Sequence, residues 1–288
     1  MSDRPLENPP INPMADPLVE VVDSDAASPT VRLEADPSGW ATIVLNRPER
    51  KNAFNAEMIG ALDQALETLE GADGVRTVFV RGAGGTFSAG ADLEWMRRAA
   101  DWPESDNRED AMALAVMLRR LWQLPKFTVA LVEGSAFGGG NGLIAACDHA
   151  IAVKSAKFAF SEVKLGLVAA TISPFVIAAI GPRKARGLFA SGRTFGAAEA
   201  HAMGLIDEVV ADAAALETAR ERIFKEISSC APGALAASKR LVDEVAGRPI
   251  GHELSEATAH AIAKARVSEE GQEGVRAFLE GRRAAWRQ

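Results

Sequence analysis

The chain has 288 residues, of which 48% are hydrophobic and 25% charged, a composition typical of one main globular domain with a sizeable core. A formal net charge of -7 excludes a broad electrostatic attraction to nucleic acid or to an anionic membrane, so we expect neither as a partner. The two cysteines, Cys147 and Cys230, suggest no disulfide framework and no cysteine-based metal site, which is typical of a reducing, cytoplasmic setting.

The first 28 residues are rich in proline and acidic side chains, and this composition predicts a disordered tail. The segment lacks the apolar stretch of a signal peptide. No apolar run in the sequence is long enough to predict a membrane-spanning helix.

A hairpin and a helix are predicted next. The segments "TVRLEA" and "WATIVLN" read as strands, because the sequence between them, Asp36-Pro37-Ser38-Gly39, is typical of a turn. Asn55 can cap a helix from Ala56 to about Glu70, since the apolar residues of that segment fall on one face. The segment "VRTVFVRG" then predicts a buried strand.

Further strands and helices alternate along the next part of the chain. The segment "GTFSAGADLEWM" leads from a strand into a helix, and the acidic "DWPESDNRED" predicts a solvated loop before a second helix that ends near Leu124. The segments "FTVALVEG", "HAIAVK" and "KFAF" predict three more strands. This alternation predicts an α/β core over residues 29–211.

The last part of the chain, residues 212–288, has a different pattern. Its apolar positions recur with helical spacing in four successive segments, which predicts an all-helical region. Such a region after a finished α/β core packs either on a neighbouring subunit or on its own core, and the pattern leaves both possibilities open.

The segment "AFGGGNGLIAACD", Ala136 to Asp148, has four glycines in five residues between two apolar runs. Exposed backbone of this kind suits a phosphate site or an oxyanion site at the start of a helix. Gly140 to Ala145 matches the dinucleotide pattern G-x-G-x-x-A, but the predicted helix ends by Asp148 and no acidic residue closes the next strand. A close-packed turn is the alternative that involves no ligand.

A second turn of small residues, "SAGAD" from Ser88 to Asp92, also follows an apolar strand. Two such turns can direct two backbone N–H groups at one oxygen, so the pair favours an oxyanion site. The four histidines have no metal-ligand spacing, and neither Ser88 nor Ser161 has a histidine nearby in the sequence. We therefore expect no metal site and no hydrolytic triad.

Four segments in this order, "NRPERKNAF", "GTFSAGADL", "AFGGGNGLIAACD" and "FAFSEVKLGL", resemble the enoyl-CoA hydratase/isomerase (crotonase) superfamily. The resemblance runs from about Val31 to the C-terminus and is most marked with bacterial methylglutaconyl-CoA hydratase-like members. It implies a ββα spiral core, followed by a helical region that supports homotrimers or dimers of trimers. It also implies an acyl-CoA thioester as substrate, with coenzyme A as part of that substrate and no separate cofactor.

The resemblance also implies roles for individual residues. The N–H groups of Ala91 and Gly139 would hold the thioester oxygen, on which negative charge collects in an enolate. Glu162 would be the acid–base residue, and its apolar neighbours predict a raised pKa. The cations of the first segment would meet the CoA phosphates, and two late residues could complete the pocket of a neighbouring subunit. The implied substrate-binding residues are Arg47, Lys51, Ala53, Ala89, Asp92, Leu93, Gly138, Gly142, Phe278 and Arg282.

Gly142 stands where the best-known hydratases of this superfamily have a second glutamate. With one carboxylate, hydration would use Glu162 and a water bound in the space that Gly142 leaves. We expect hydration of a 2,3-enoyl-CoA with a branched or carboxylated acyl group, such as 3-methylglutaconyl-CoA. Isomerisation by the single glutamate and catalytically silent acyl-CoA binding are the alternatives. The candidate cations for an acyl carboxylate are Lys164, Arg97 and Arg98.

Overall fold

The computed structural model describes residues 29–287, so the predicted N-terminal tail lies outside the described residues. Nine strands alternate with helices in this part of the chain. The strands are β1 (Val31–Asp36), β2 (Trp40–Leu45), β3 (Thr77–Gly82), β4 (Phe127–Val132), β5 (Ser135–Phe137), β6 (His149–Val153), β7 (Lys157–Ala159), β8 (Thr194–Gly196) and β9 (Glu208–Val210).

Ten α-helices accompany these strands among the described residues. Six helices belong to the α/β part and four to the C-terminal region. They are α1 (Ala56–Glu70), α2 (Leu93–Ala99), α3 (Glu104–Gln123), α4 (Gly139–Ala146), α5 (Ser173–Ser191), α6 (Ala197–Met203), α7 (Ala213–Ile227), α8 (Pro232–Val245), α9 (His252–Val267) and α10 (Glu269–Leu279).

The strands form two sheets. The larger sheet has the order β1-β2-β3-β4-β6-β9, and only the β1–β2 hairpin is antiparallel. The smaller sheet has the order β5-β7-β8. The central parallel strands are buried, as their nearly continuous apolar sequences predict. This architecture confirms the predicted α/β core followed by helices.

Several local predictions are confirmed at the level of single elements. The hairpin pairs Asp36 with Trp40 across the predicted turn. Helix α1 has the predicted bounds, and the Asn55 side chain accepts a hydrogen bond from the Met58 N–H at 2.9 Å.

The prediction of a solvated loop over "DWPESDNRED" is wrong for most of that segment, because α3 already begins at Glu104. Pro103 precedes this helix, and Glu104 and Asp106 occupy its first turn. Carboxylates in the first turn interact favourably with the positive end of the helix dipole. The acidic composition therefore marks a helix start here.

The C-terminal helices pack on the core of their own chain. The Arg76 guanidinium donates hydrogen bonds to the carbonyl oxygens of Ser228 and Trp286. The Lys239 ammonium on α8 donates to the Leu124 carbonyl oxygen and pairs with Asp148 at 2.7 Å. The structure therefore shows intramolecular packing, which is one of the two possibilities that the sequence left open. The contribution of these helices to an oligomer stays a prediction. None of the described helices has the length and apolar character needed to cross a membrane.

Candidate active site

The two glycine-containing turns meet in the structure. The Ser88 N–H donates to the Ser135 carbonyl oxygen at 2.9 Å, and the Phe137 N–H donates to the Ser88 carbonyl oxygen at 2.9 Å. A Cβ built on Gly90 would lie 3.1 Å from the Phe137 oxygen, and φ of Gly90 is +90°. A side chain at this position would be strained by the backbone conformation and would make a tight contact with the Phe137 oxygen.

The expected oxyanion donors lie at this junction. Gly139 is the first residue of α4, and helix starts leave their first N–H groups without intrahelical acceptors. On either side of Ala91, the Gly90 oxygen accepts from the Phe54 N–H at 2.7 Å and the Asp92 N–H donates to the Phe54 oxygen at 2.8 Å. Within residues 29–287, the N–H groups of Ala91 and Gly139 donate to no chain acceptor. Both residues line one pocket, so the geometry suits an oxyanion.

Glu162 enters the same pocket at the start of a 3₁₀-helix, Glu162–Leu165. Its Oε1 lies 3.1 Å from the position at which Gly138 would carry a Cβ, so the carboxyl group rests against the turn that presents Gly139. Its Oε2 is buried and has no hydrogen-bond partner in the described chain. Burial raises the pKa of Glu162 above its ordinary value, as the apolar neighbours in the sequence predict.

The pocket has a volume of about 310 Å³ and is lined mainly by apolar side chains and backbone. Glu162 is the one titratable side chain among its lining residues in the described chain, and no lysine or arginine reaches it. The remaining lining residues are Phe54, Ala89, Gly90, Ala91, Leu93, Trp95, Met96, Leu114, Gly138, Gly139, Ser161, Leu165, Leu167, Val168, Ala169, Ala170, Thr171 and Ile172.

The expectation of open space at Gly142 is wrong. Gly142 is buried in α4, and a Cβ built on it would lie 2.4 Å from Ile172 Cγ2 and 3.4 Å from Leu118 Cδ1. The Ile172 side chain therefore fills the volume in which a water was expected. Gly142 does not line the pocket, and neither a water nor a second carboxylate fits there without displacing Ile172.

Arg47 and Asp92 form an ion pair at 2.9 Å and are both largely buried. The Arg47 guanidinium also donates to the Ala53 oxygen, and Asp92 Oδ1 caps α2 by accepting from the Glu94 and Trp95 N–H groups. Burial alone would raise the pKa of Asp92, but these bonds outweigh it and the pKa is lowered. Both side chains, expected to bind CoA, are thus already engaged in holding the loop to α2.

The other expected CoA contacts are placed differently. Lys51 is exposed and is not among the pocket-lining residues, and its carbonyl oxygen accepts from the Ala89 N–H at 2.9 Å. Ala53 is buried, whereas Ala89, Leu93 and Gly138 line the pocket.

Phe278 and Arg282 do not line the pocket of their own chain. The Phe278 side chain on α10 is 85% exposed, and Arg282 forms ion pairs with Glu273 and Glu280. Their contribution to a neighbouring subunit stays a prediction. The candidate cations Arg97, Arg98 and Lys164 are exposed and lie outside the pocket lining.

Sequence reasoning missed the structural roles of Asn52 and Ser88. The Asn52 side-chain amide donates to the Ala83 and Thr86 oxygens at 2.9 and 2.7 Å, and its Oδ1 accepts from the Arg47 N–H. The Ser88 hydroxyl donates to the Asn52 oxygen at 2.8 Å and accepts from the Gly90 N–H. Asn52 has φ +54°, which asparagine tolerates better than most residues. These bonds connect the loop to the turn that presents Ala91.

Comparisons with known proteins agree with this geometry. The family model "Enoyl-CoA hydratase/isomerase" matches residues 36–288. A Thermus thermophilus protein named "Putative enoyl-CoA hydratase" is 38% identical over 246 residues, which cover 84% of this chain and 95% of the relative. The Escherichia coli 1,2-epoxyphenylacetyl-CoA isomerase is 32% identical over 248 residues, which cover 84% of this chain and 92% of that protein.

A solved structure has the same fold. The Shewanella pealeana enoyl-CoA hydratase matches with a TM-score of 0.86 and 38% identity, over 89% of this chain and 96% of that one. The arrangement of strands and helices, the two turns and the family match thus agree over most of the described chain. The chain belongs to the enoyl-CoA hydratase/isomerase, or crotonase, family.

Proposed function

We propose that this enzyme adds water across the double bond of a 2,3-enoyl-CoA thioester. The observation that carries the proposal is the position of Glu162, whose Oε1 lies 3.1 Å from the Cβ position of Gly138, in the pocket that Ala91 and Gly139 also line. An acid–base group and two backbone N–H groups that have no acceptor in the described chain thus belong to residues that line one small pocket. This combination suits a reaction in which an enolate forms and collapses.

A single carboxylate can carry out both proton transfers of a syn addition. Glu162 in its ionised form takes a proton from water as the water oxygen bonds to C3 of the enoyl group. The electron pair of the double bond moves towards the thioester, and the resulting enolate oxygen is held by the Ala91 and Gly139 N–H groups. Protonated Glu162 then returns a proton to C2, which restores the carbonyl group. The net change is the addition of one water.

The raised pKa of Glu162 is consistent with this double role. Burial destabilises the ionised form of this carboxyl group, and its Oε2 has no hydrogen-bond partner in the described chain, so accepting a proton is more favourable for it than for an exposed carboxylate. It is therefore a stronger base than an ordinary glutamate and is still acidic enough to return the proton. Ile172 and Phe54 line the same pocket.

For the acyl group, the sequence resemblance favours a branched or carboxylated chain such as 3-methylglutaconyl-CoA. The apolar lining supports a branched hydrocarbon group. A carboxylate in this pocket would need a cation, and none of the described lining residues is one. We therefore propose a branched, uncharged enoyl group. A carboxylated enoyl group would need a cation from outside the pocket of this chain.

Isomerisation of the double bond is the second candidate function. The absence of a second carboxylate from the described pocket lining favours it, because one base that moves a proton between two carbons needs no water site. The similarity to an epoxyphenylacetyl-CoA isomerase is consistent with isomerase chemistry in this family.

A panel of acyl-CoA thioesters distinguishes these possibilities. The loss of enone absorbance together with a product mass increased by one water supports hydration. An unchanged mass with a moved double bond supports isomerisation and contradicts our proposal. The absence of turnover across a panel that includes crotonyl-CoA and 3-methylglutaconyl-CoA would support a protein that only binds acyl-CoA.

A further inference from the structure

The carbonyl oxygen of Ala159 joins the segment that leads to Glu162 to the turn that presents Gly139. The Gly138 N–H donates to this oxygen at 3.0 Å and extends the parallel pairing of β5 with β7 by one residue. The Asn141 side-chain amide donates to the same oxygen at 2.8 Å. A carbonyl oxygen has two lone pairs, so it can accept both bonds. The end of β7 is therefore fastened twice to the glycine turn.

The Asn141 side chain is fully buried as the third residue of α4. Its Oδ1 is also buried and has no hydrogen-bond partner in the described chain. Burying an amide oxygen without a partner opposes folding, and an apolar side chain at this position would avoid that loss of stability. The residues around it in α4 are glycines and apolar residues. Stability alone therefore does not explain the amide, and its bond to the Ala159 oxygen is the contact that an apolar residue could not make.

The path from Ala159 to Glu162 is short. Strand β7 ends at Ala159, and the 3₁₀-helix that begins with Glu162 follows after two residues. The first of these, Phe160, is 1% exposed and packs edge-on against Phe189, with ring centroids 5.0 Å apart. The Glu162 carboxyl group then returns to the glycine turn, where its Oε1 rests against Gly138. A shift of the Ala159 carbonyl group therefore also moves Glu162, because so little chain lies between them.

We propose that Asn141 is a positioning residue, whose side-chain amide holds the Glu162 carboxyl group in place relative to the Gly139 N–H. Asn141 does not line the pocket, so it acts through these two groups and not on the thioester itself. The inference rests on the proposed function in that Glu162 and Gly139 act on one enolate. Hydration and isomerisation share that enolate, so the inference holds for either reaction.

Proton exchange at C2 of butyryl-CoA measures this positioning without hydration, because this thioester has no double bond to which water could add. Glu162 takes a proton from C2, and the electron pair of the C–H bond moves towards the thioester oxygen to give the enolate. In heavy water, Glu162 exchanges that proton for a deuteron and returns the deuteron to C2. Mass spectrometry then follows the gain of deuterium by the thioester.

We expect Asn141→Ala to lower the exchange rate at least about tenfold, because a small displacement of a catalytic group has a large effect on rate. The dissociation constant of butyryl-CoA, measured by isothermal titration calorimetry, should change less than about twofold, since uniform binding is not affected. Asn141→Val, which also lacks the donor and leaves less empty volume than alanine, should behave in the same way. Thr77→Val is the matched control and should keep the parent rate. Thr77 is also fully buried, its Oγ1 has no partner in the described chain, and it does not line the pocket.

The separation of exchange rate from binding distinguishes positioning from a general structural role. Parent-like exchange by the folded Asn141→Ala and Asn141→Val proteins would overturn the inference. Equal losses of exchange and binding would also overturn it, because they indicate a general disturbance of the pocket. If circular dichroism shows that neither variant folds, the amide serves the fold and the inference is rejected. Exchange by the parent without hydration of any enoyl-CoA would contradict the proposed function alone, whereas a parent that exchanges no deuterium would contradict both.

Discussion

The proposed chemistry depends on the carboxyl group of Glu162, so replacing this residue is the most direct test of the mechanism. Glu162→Gln keeps the shape of the side chain and removes the base. General acid–base groups contribute about 10²–10⁴-fold, so we expect kcat to fall by that order while acyl-CoA binding persists. Glu253→Gln, at a side chain that is 91% exposed, is the matched control. Turnover within a few-fold of the parent would remove Glu162 from the mechanism.

The same variant should reveal the raised pKa through stability. Because the pKa of Glu162 is higher in the folded than in the unfolded state, the folded protein binds more protons between those two values. The free energy of unfolding of the parent therefore falls as the pH rises through this interval, whereas Glu162→Gln has no such dependence. We expect calorimetry to show that the Tm of the variant rises relative to that of the parent as the pH increases above the ordinary pKa of a glutamate, about 4.3. A Tm difference that does not change with pH would contradict this.

Gly142 offers a second test at the residue scale. Gly142→Ala would place a Cβ 2.4 Å from Ile172 Cγ2, so we expect a loss of about 1–3 kcal/mol in the free energy of unfolding, measured by denaturant titration. Gly60→Ala is the matched helical control, because nothing lies within 4 Å of its Cβ position, and it should be neutral or stabilising. Equal effects of the two substitutions would mean that Ile172 does not fill this space.

At the scale of elements, the site depends on how the loop before α1 is fastened to the turn before α2. Asn52 is fully buried, and its side chain bonds to three backbone groups of these segments. A buried polar group that is left without a partner lowers the free energy of unfolding by about 1–3 kcal/mol, whereas water hydrates an exposed group that loses its partner. The position of the Ala91 N–H should therefore depend on Asn52.

We expect Asn52→Ala to lower both the free energy of unfolding and kcat. Asn107→Ala is the matched control, since that amide also bonds to three backbone groups, all of them carbonyl oxygens, but is exposed. The control should cost less than about 1 kcal/mol and leave kcat unchanged. Thermal unfolding and steady-state kinetics provide the two measurements. If Asn52→Ala loses stability but keeps the parent kcat, the loop does not position the oxyanion donor.

At the scale of the whole molecule, the C-terminal region combines two kinds of surface. One side of it packs on its own core through Arg76 and Lys239. Other side chains on its last two helices are apolar and exposed. These side chains are Ile262, Val267, Val275, Phe278 and Leu279.

The exposed apolar side chains, together with the resemblance, predict that the helical region builds an oligomer. Light scattering should give at least the mass of a trimer at micromolar concentration. Phe278→Ser should shift the mass towards the monomer, because it removes a large apolar side chain from the predicted contact. A monomeric parent, or an unchanged mass for the variant, would reject the assignment of Phe278 to an interface.

The sequence by itself determined the features that local forces control. The spacing of apolar residues and the Asn55 cap defined α1, and the hairpin followed from its turn residues. The sequence also predicted the two turns that contain Gly90 and Gly139, because a run of small residues between apolar segments is typical of a turn. Their approach to Glu162 was expected from the family resemblance alone.

Only the tertiary structure decided which side chains are free to meet a ligand. Arg47 appeared to be an available cation until it was found paired with Asp92, 45 positions away. Gly142 suggested open space until Ile172, from a segment that follows another strand, was found to occupy it. Pairing and packing of this kind depend on which distant residues the fold brings together. The spacing of residues along the chain predicts helices, strands and turns. It does not predict which distant side chain fills a given volume or neutralises a given charge.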